Sequence, residues 1–126
     1  IFGSQAIRPS QTRSDSGVLL VSNCTLKEGT SPQELATADK KWNDYLDSTG
    51  NKGGIYRWFP GPGAPMDVDY TFKNVLTASS MTEWGEASDI FVNGGGIPTQ
   101  ISIYGDMLDC DSPRMYQSST MRDVRK

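Results

Sequence analysis

The chain has 126 residues, an apolar fraction of 36% and a formal net charge of −3. This length suits one domain with its own core, and the negative charge argues against nucleic acid as a partner. The sequence contains no histidine, which excludes Ser-His-Asp catalysis, His-ligated zinc and His-ligated haem. No apolar stretch approaches the roughly 20 residues of a membrane-spanning helix, and we expect neither a metal nor a cofactor.

The first 17 residues are rich in Ser, Gln and Arg and show no periodicity. We therefore predict an extended polar arm over residues 1–17 and a single domain over residues 18–126. Residues 18–21 form an apolar run with both faces apolar, which predicts a central strand continuing to Thr25.

A first helix is predicted from Ser31, because Ser31 is a good N-cap, Pro32 suits the first helical position and Glu34 completes a capping box. The glycines at 50, 53 and 54 end this helix. An apolar stripe at helical spacing predicts its buried face, and it consists of Leu35, Ala38, Trp42, Tyr45 and Leu46.

An aromatic strand is predicted over residues 55–59, followed by a loop rich in Pro and Gly over residues 60–65 and a returning strand over residues 68–77. If Phe59 pairs with Asp67 across this loop, Arg57 faces Asp69. The opposite face then becomes strongly aromatic, and we expect it to form the core beneath the helices. Its members are Tyr56, Trp58, Val68, Tyr70 and Phe72.

A second helix is predicted to begin near Ser80, with Glu83 in the capping-box position, and to stop at the glycines 94–96. Its expected buried face consists of Met81, Trp84, Ala87, Ile90 and Phe91. Residues 101–108 fit either a strand or a short helix, and residues 115–124 fit a last strand. The order β-α-β-β-α-β is typical of an α+β, ferredoxin-like fold, which has a four-stranded antiparallel sheet of order 4-1-3-2 with two helices on one face.

The two cysteines test this arrangement. Cys24 lies at the end of the first strand and Cys110 lies just before the fourth, and these strands are antiparallel neighbours in the predicted order. We therefore predict a Cys24–Cys110 disulfide, with two buried thiols as the alternative. A single disulfide suits an oxidising compartment, so we expect an exported protein that is periplasmic, secreted or held at the cell surface.

Three segments carry a resemblance to a known group of proteins. They are Cys-Thr-Leu-Lys-Glu-Gly at 24–29, Lys-Lys-Trp-Asn at 40–43 and Tyr-Arg-Trp-Phe-Pro at 56–60. Over residues 18–122 the chain resembles small exported bacterial proteins of unknown function, many of them marine or metagenomic, which look like the dimeric α+β-barrel superfamily that includes the antibiotic-biosynthesis monooxygenases. The resemblance implies a sheet whose open face packs on that of a partner. It carries no reaction, because members of one fold differ widely in chemistry.

Four residues are candidates for binding a ligand. Arg57, Asp69 and Lys73 share one face in the predicted hairpin, where Arg57 would anchor an anion. The alternative is a cross-strand ion pair on a half-wet sheet. Asn43 on the first helix would position a substrate, or it is a residue of the helix surface.

Two functions follow from these predictions. The first is a non-catalytic exported module that forms a homodimer through its open sheet face and binds a small molecule or joins an assembly. The second is a cofactor-independent, monooxygenase-like enzyme with its site in the barrel cavity. Association through the sheet is expected because two helices cover only one face, which would leave Ile55, Phe59 and Val75 open to water.

Overall fold

The computed structural model describes residues 2–12, 16–61, 70–119 and 121. Within these residues the chain forms six strands and three helices. Their order is β1 (Phe2–Arg8), β2 (Ser16–Leu26), α1 (Pro32–Thr49), β3 (Gly54–Pro60), β4 (Phe72–Ala78), α2 (Met81–Asn93), α3 (Gly96–Tyr104), β5 (Leu108–Cys110) and β6 (Arg114–Ser119). Among the described helices, none combines the length and the apolar character needed to cross a membrane.

The strands form one antiparallel sheet in the order β1-β3-β4-β2-β5, and β6 also pairs with β2. The predicted four-stranded ferredoxin-like sheet with two helices is therefore wrong. The strand expected over residues 115–124 corresponds to β6, and the additional short strand β5 precedes it. The two pair with residues 16–21 and 24–26 of the long strand β2. Pro113 lies between the two, and a proline lacks the N–H that a continuous ladder would need.

Strand β1 supplies a further difference from the prediction. Residues 2–8 pair with residues 55–60 of β3 instead of standing apart from the domain as an arm. Among residues 3–8, the first four are exposed, Ile7 is half-buried and Arg8 is buried. An edge strand of this kind is held by backbone hydrogen bonds and needs little apolar surface, which explains why hydrophobic periodicity does not reveal it.

The helix ends agree closely with the prediction. The Ser31 side chain accepts a hydrogen bond from the Glu34 N–H at 3.1 Å, and the Ser80 side chain accepts one from the Glu83 N–H at 3.1 Å. Gly50 ends α1 in the left-handed conformation, with φ 76°. After the second helix, however, the glycines separate two helices, because α3 begins at Gly96.

The register between β3 and β4 differs from the predicted one. Arg57 lies opposite Asn74, five residues beyond Asp69, which was its expected partner. Asp69 itself and the predicted strand residues 68 and 69 lie outside the described residues. A shift by an odd number of residues exchanges the two faces of a strand, so Lys73 lies on the opposite face from Arg57.

The sheet face towards α1 carries only part of the predicted aromatic core. Arg57 points to α1, where it binds Asp39, and Ile55 and Phe72 share its face by register and are buried. Tyr56 and Trp58 lie on the other face and are half-buried, so their predicted place beneath the helices is wrong, whereas Phe72 is buried as predicted. The expected exposure of the sheet is wrong for Ile55 and Val75, which are both buried, whereas Phe59 is exposed.

The two longer helices are covered to different extents. In α1, Trp42 is buried, stacks on Tyr45 at 5.1 Å between ring centroids and meets Phe91 of α2 edge-on at 6.3 Å. No side chain of α2 is buried, and Met81 and Ile90 are exposed instead of lying in the core as predicted. The hydrophobic layer is therefore centred on α1.

The predicted disulfide is confirmed. Cys24 and Cys110 are bonded, with their Cα atoms 4.1 Å apart, and they lie directly opposite each other in the β2–β5 pair. The bond ties the strand that follows α3 to the centre of the sheet.

Candidate functional site

A solvent-open groove lies between the beginning of α1 and the end of α3. It consists of two adjoining depressions of about 320 and 480 Å³, which share Glu34, Ile103 and Met107 as lining residues. The first depression continues along α1, and the second continues into the loop that follows β2. The remaining lining residues are Gln33, Thr37, Ala38 and Lys41 in the first, and Lys27, Glu28, Gly29, Thr30, Ser102, Tyr104, Gly105 and Asp106 in the second.

One wall of the groove is a stripe along α1. Glu34, Ala38 and Lys41 recur at the spacing that places residues on one helix face, so a carboxylate and an ammonium group flank a small buried residue. The facing wall is apolar, because Ile103 and Met107 are half-buried there. The groove therefore combines an apolar wall with a charge of each sign.

A salt bridge closes the end of the groove near β2. Lys27 binds the carboxylate of Asp106, and the Lys27 N–H donates to the Met107 carbonyl at 2.8 Å. The Lys27 ammonium lowers the pKa of Asp106 below its usual range. The charge of Lys27 is thus compensated within the protein.

A buried polar triad adjoins the groove through Tyr104. Arg57 donates to both carboxylate oxygens of Asp39, at 2.6 and 2.7 Å, and the Tyr104 hydroxyl donates to the same carboxylate at 2.6 Å. The guanidinium carbon of Arg57 also lies 5.0 Å from the centre of the Phe72 ring. The triad joins β3, α1 and α3, and its tyrosine lines the groove.

The triad keeps the phenol of Tyr104 protonated. Burial raises the pKa of Tyr104, and its hydrogen bond to the Asp39 carboxylate raises it further. The phenol stays neutral and serves as a donor. The terminal nitrogens of Arg57 and the carboxylate of Asp39 are hydrogen-bonded to each other. The role of the triad is therefore structural, because it holds β3, α1 and α3 together.

The structure does not bring the predicted ligand-binding residues together. Arg57 lies in the triad and Asn43 donates to the Ile7 carbonyl at 2.8 Å, and neither lines the groove. Lys73, on the other sheet face, donates to Asn23 Oδ1 at 2.8 Å and lies over the Tyr70 ring. Asp69, the fourth predicted residue, lies outside the described residues.

A second buried cation was missed by the sequence analysis. Arg8 of β1 donates to the Asp47 carboxylate at 2.7 Å and to the Asn51 carbonyl at 2.5 Å, which ties the edge strand to the end of α1. Asp39 and Tyr104 were missed as well. Asp39 could have been found from its position, because it lies four residues after Leu35 and three before Trp42, within the apolar stripe of the helix. An isolated carboxylate is costly to bury there, so its presence indicates a buried partner.

Comparisons of the chain with protein-family models, with curated proteins and with solved structures find no match. The predicted relation to the α+β-barrel superfamily therefore stays a prediction. Within the described part of the chain, no group of three or more His, Cys, Asp or Glu side chains could hold a metal ion.

Proposed function

We propose that the protein is an exported, disulfide-stabilised binding module that holds a small molecule in the groove between α1 and α3. The observation that carries this proposal is the groove itself, in which Ile103 and Met107 face the charged side chains Glu34 and Lys41. Apolar surface with a few polar groups around it is the usual composition of a small-molecule site.

The triad has a structural role in this proposal. Arg57 donates to both carboxylate oxygens of Asp39, which also accepts from the Tyr104 hydroxyl, and neither Arg57 nor Asp39 lines the groove. Their contribution to the module is to hold α3, through Tyr104, at a constant distance from α1.

Export is supported by the Cys24–Cys110 bond, because structural disulfides persist in oxidising compartments. We propose a periplasmic, secreted or cell-surface location for this reason. The same bond keeps the loop that carries Asp106 and Met107 attached to the sheet.

Mass spectrometry of small molecules released from the native protein tests the proposal. We expect a compound to copurify with the unchanged protein and to be lost in an Ile103→Glu variant, which places a carboxylate on the apolar wall. The matched control is Ile101→Glu, since Ile101 lies on the same helix, is 63% exposed and does not line the groove. Equal loss in both variants, or no compound in any of the three proteins, contradicts a binding function for the groove.

We also propose that the module associates with a second copy through its sheet. The support is the exposed apolar surface on the strands, where Phe59, Leu76 and Met115 share one face of the sheet by register, because such surface commonly marks a partner site. Sedimentation equilibrium at micromolar concentration should show a species of twice the 13.8 kDa chain mass. A species of single chain mass at all concentrations contradicts this part of the proposal.

A further inference from the structure

We infer that the ligand of the groove is a short linear peptide of about three residues with free termini and an apolar middle side chain. This inference rests on the proposed binding function and names the ligand class. It follows from the sign, spacing and accessibility of the charges along α1.

The two charges of the α1 wall are free to meet a ligand. Glu34 and Lys41 are exposed, and neither side chain makes a hydrogen bond or salt bridge to another described residue. By contrast, Lys27 is engaged by Asp106. Lys41 is therefore the cation that the groove offers, and Glu34, with Glu28 beyond it, forms the negative end.

The spacing of the charges sets the length of the ligand. Glu34 and Lys41 are seven residues apart on a continuous helix, which corresponds to about 10.5 Å along the helix axis. An extended chain spans at most about 3.3–3.6 Å per residue, so three residues separate a terminal ammonium from a terminal carboxylate by about 10 Å. A single amino acid is too short to reach both charges.

The apolar wall opposite these charges determines the character of the central side chain of the ligand. Ile103 and Met107 face the section of α1 between Glu34 and Lys41, so an apolar central side chain is removed from water there. The terminal ammonium then lies at Glu34 and the terminal carboxylate at Lys41. The carboxylate–ammonium complementarity fixes the direction of the peptide.

Isothermal titration calorimetry with Ala-Leu-Ala tests the inference. For a ligand of this size we expect a Kd of about 0.1 mM. The same peptide with an acetylated N-terminus and an amidated C-terminus should bind about tenfold more weakly, because both terminal charges are gone. Equal binding of the free and the blocked peptide overturns the inference, since the charges would then play no part.

Variants of α1 assign the two ends. Glu34→Gln and Lys41→Gln should each weaken binding of the free peptide about threefold and leave binding of the blocked peptide unchanged. The matched control is Lys40→Gln, because Lys40 is an exposed neighbour that binds Asp44 and lies outside the groove. An equal effect of Lys40→Gln and Lys41→Gln contradicts the assignment.

Failure of this inference is distinguishable from failure of the proposed function. If no peptide binds while another compound copurifies with the protein in an Ile103-dependent manner, the peptide inference fails and the binding function stands. If neither is found, both fail.

Discussion

The two sides of the molecule differ in which side chains they bury: one buries charged groups, and the other exposes large apolar ones. The α1 side, made of α1, β1 and β3, buries the two guanidinium groups of Arg8 and Arg57. The C-terminal side, made of α2, α3 and β6, leaves large apolar side chains in water, with Val92 60% exposed and Ile101 63% exposed. In this protein, the available hydrogen-bonding partners therefore decide which side chains are buried more than hydrophobicity does.

The reason lies in what each side can offer. A buried cation is tolerated only with a well-placed anion and further hydrogen bonds, and α1 supplies Asp39 and Asp47 at the right positions. On the C-terminal side, the described residues of β6 are all exposed and are held by backbone pairing to β2. The Tyr104 hydroxyl fixes α3 to Asp39, and the Cys24–Cys110 bond fixes the strand that follows α3 to β2.

The largest effect is expected from breaking that covalent anchor. The disulfide closes a loop between residues that are 86 positions apart, so replacing both cysteines by serine should cost about 4–5 kcal/mol of the free energy of unfolding in the chain-entropy model. Urea titration of the variant and of the oxidised protein measures the difference. An unchanged midpoint would show that the C-terminal side does not depend on the crosslink.

The next effect is expected on the α1 side. Asp39→Ala should cost about 3–5 kcal/mol, because it leaves the buried Arg57 without its anion. The matched control is Asp44→Ala on the same helix, whose exposed pair with Lys40 should contribute about 0.5 kcal/mol or less. Similar costs for the two variants in thermal or urea unfolding would remove the distinction between buried and surface charge.

A pH dependence follows from the raised pKa of Tyr104. A phenol whose pKa is higher in the folded state contributes stability that is complete below the unfolded value of about 10 and is lost as the pH rises through the folded value. Between pH 9 and pH 11 the unchanged protein should therefore lose about 1 kcal/mol more than Tyr104→Phe. Urea unfolding at both pH values measures this, and identical alkaline losses would mean that the triad does not keep the phenol neutral.

The smallest effect is expected from the exposed helix surface. Ile101→Glu should change the free energy of unfolding by no more than about 0.5 kcal/mol, whereas Ile55→Ala, in the buried face towards α1, should cost about 2–4 kcal/mol. Melting temperatures of the two variants compare the sides directly. A large loss for Ile101→Glu would indicate that this surface is covered in the protein as it exists in solution.

The local features of the fold were predictable from the sequence. Both helix starts at Ser31 and Ser80 and the end of α1 at Gly50 are as predicted, because capping depends on groups only a few residues apart. The disulfide was also predictable, since only two cysteines are present and each adjoins a recognisable strand. The groove was not predicted, because its walls come from α1 and from a helix that the sequence left ambiguous.

Tertiary structure alone decided the pairing of distant segments. The register of β4 against β3 depends on how many residues the connecting loop takes up, and an odd error of five exchanged the faces and moved Arg57 from an expected surface site to the buried side. The pairing of β1 with β3 was also decided by tertiary structure, because the mostly polar sequence of β1 shows no hydrophobic periodicity. The triad of Asp39, Arg57 and Tyr104 brings together side chains from α1, β3 and α3. Its hydrogen bonds depend on how these three elements pack, which local propensity does not encode.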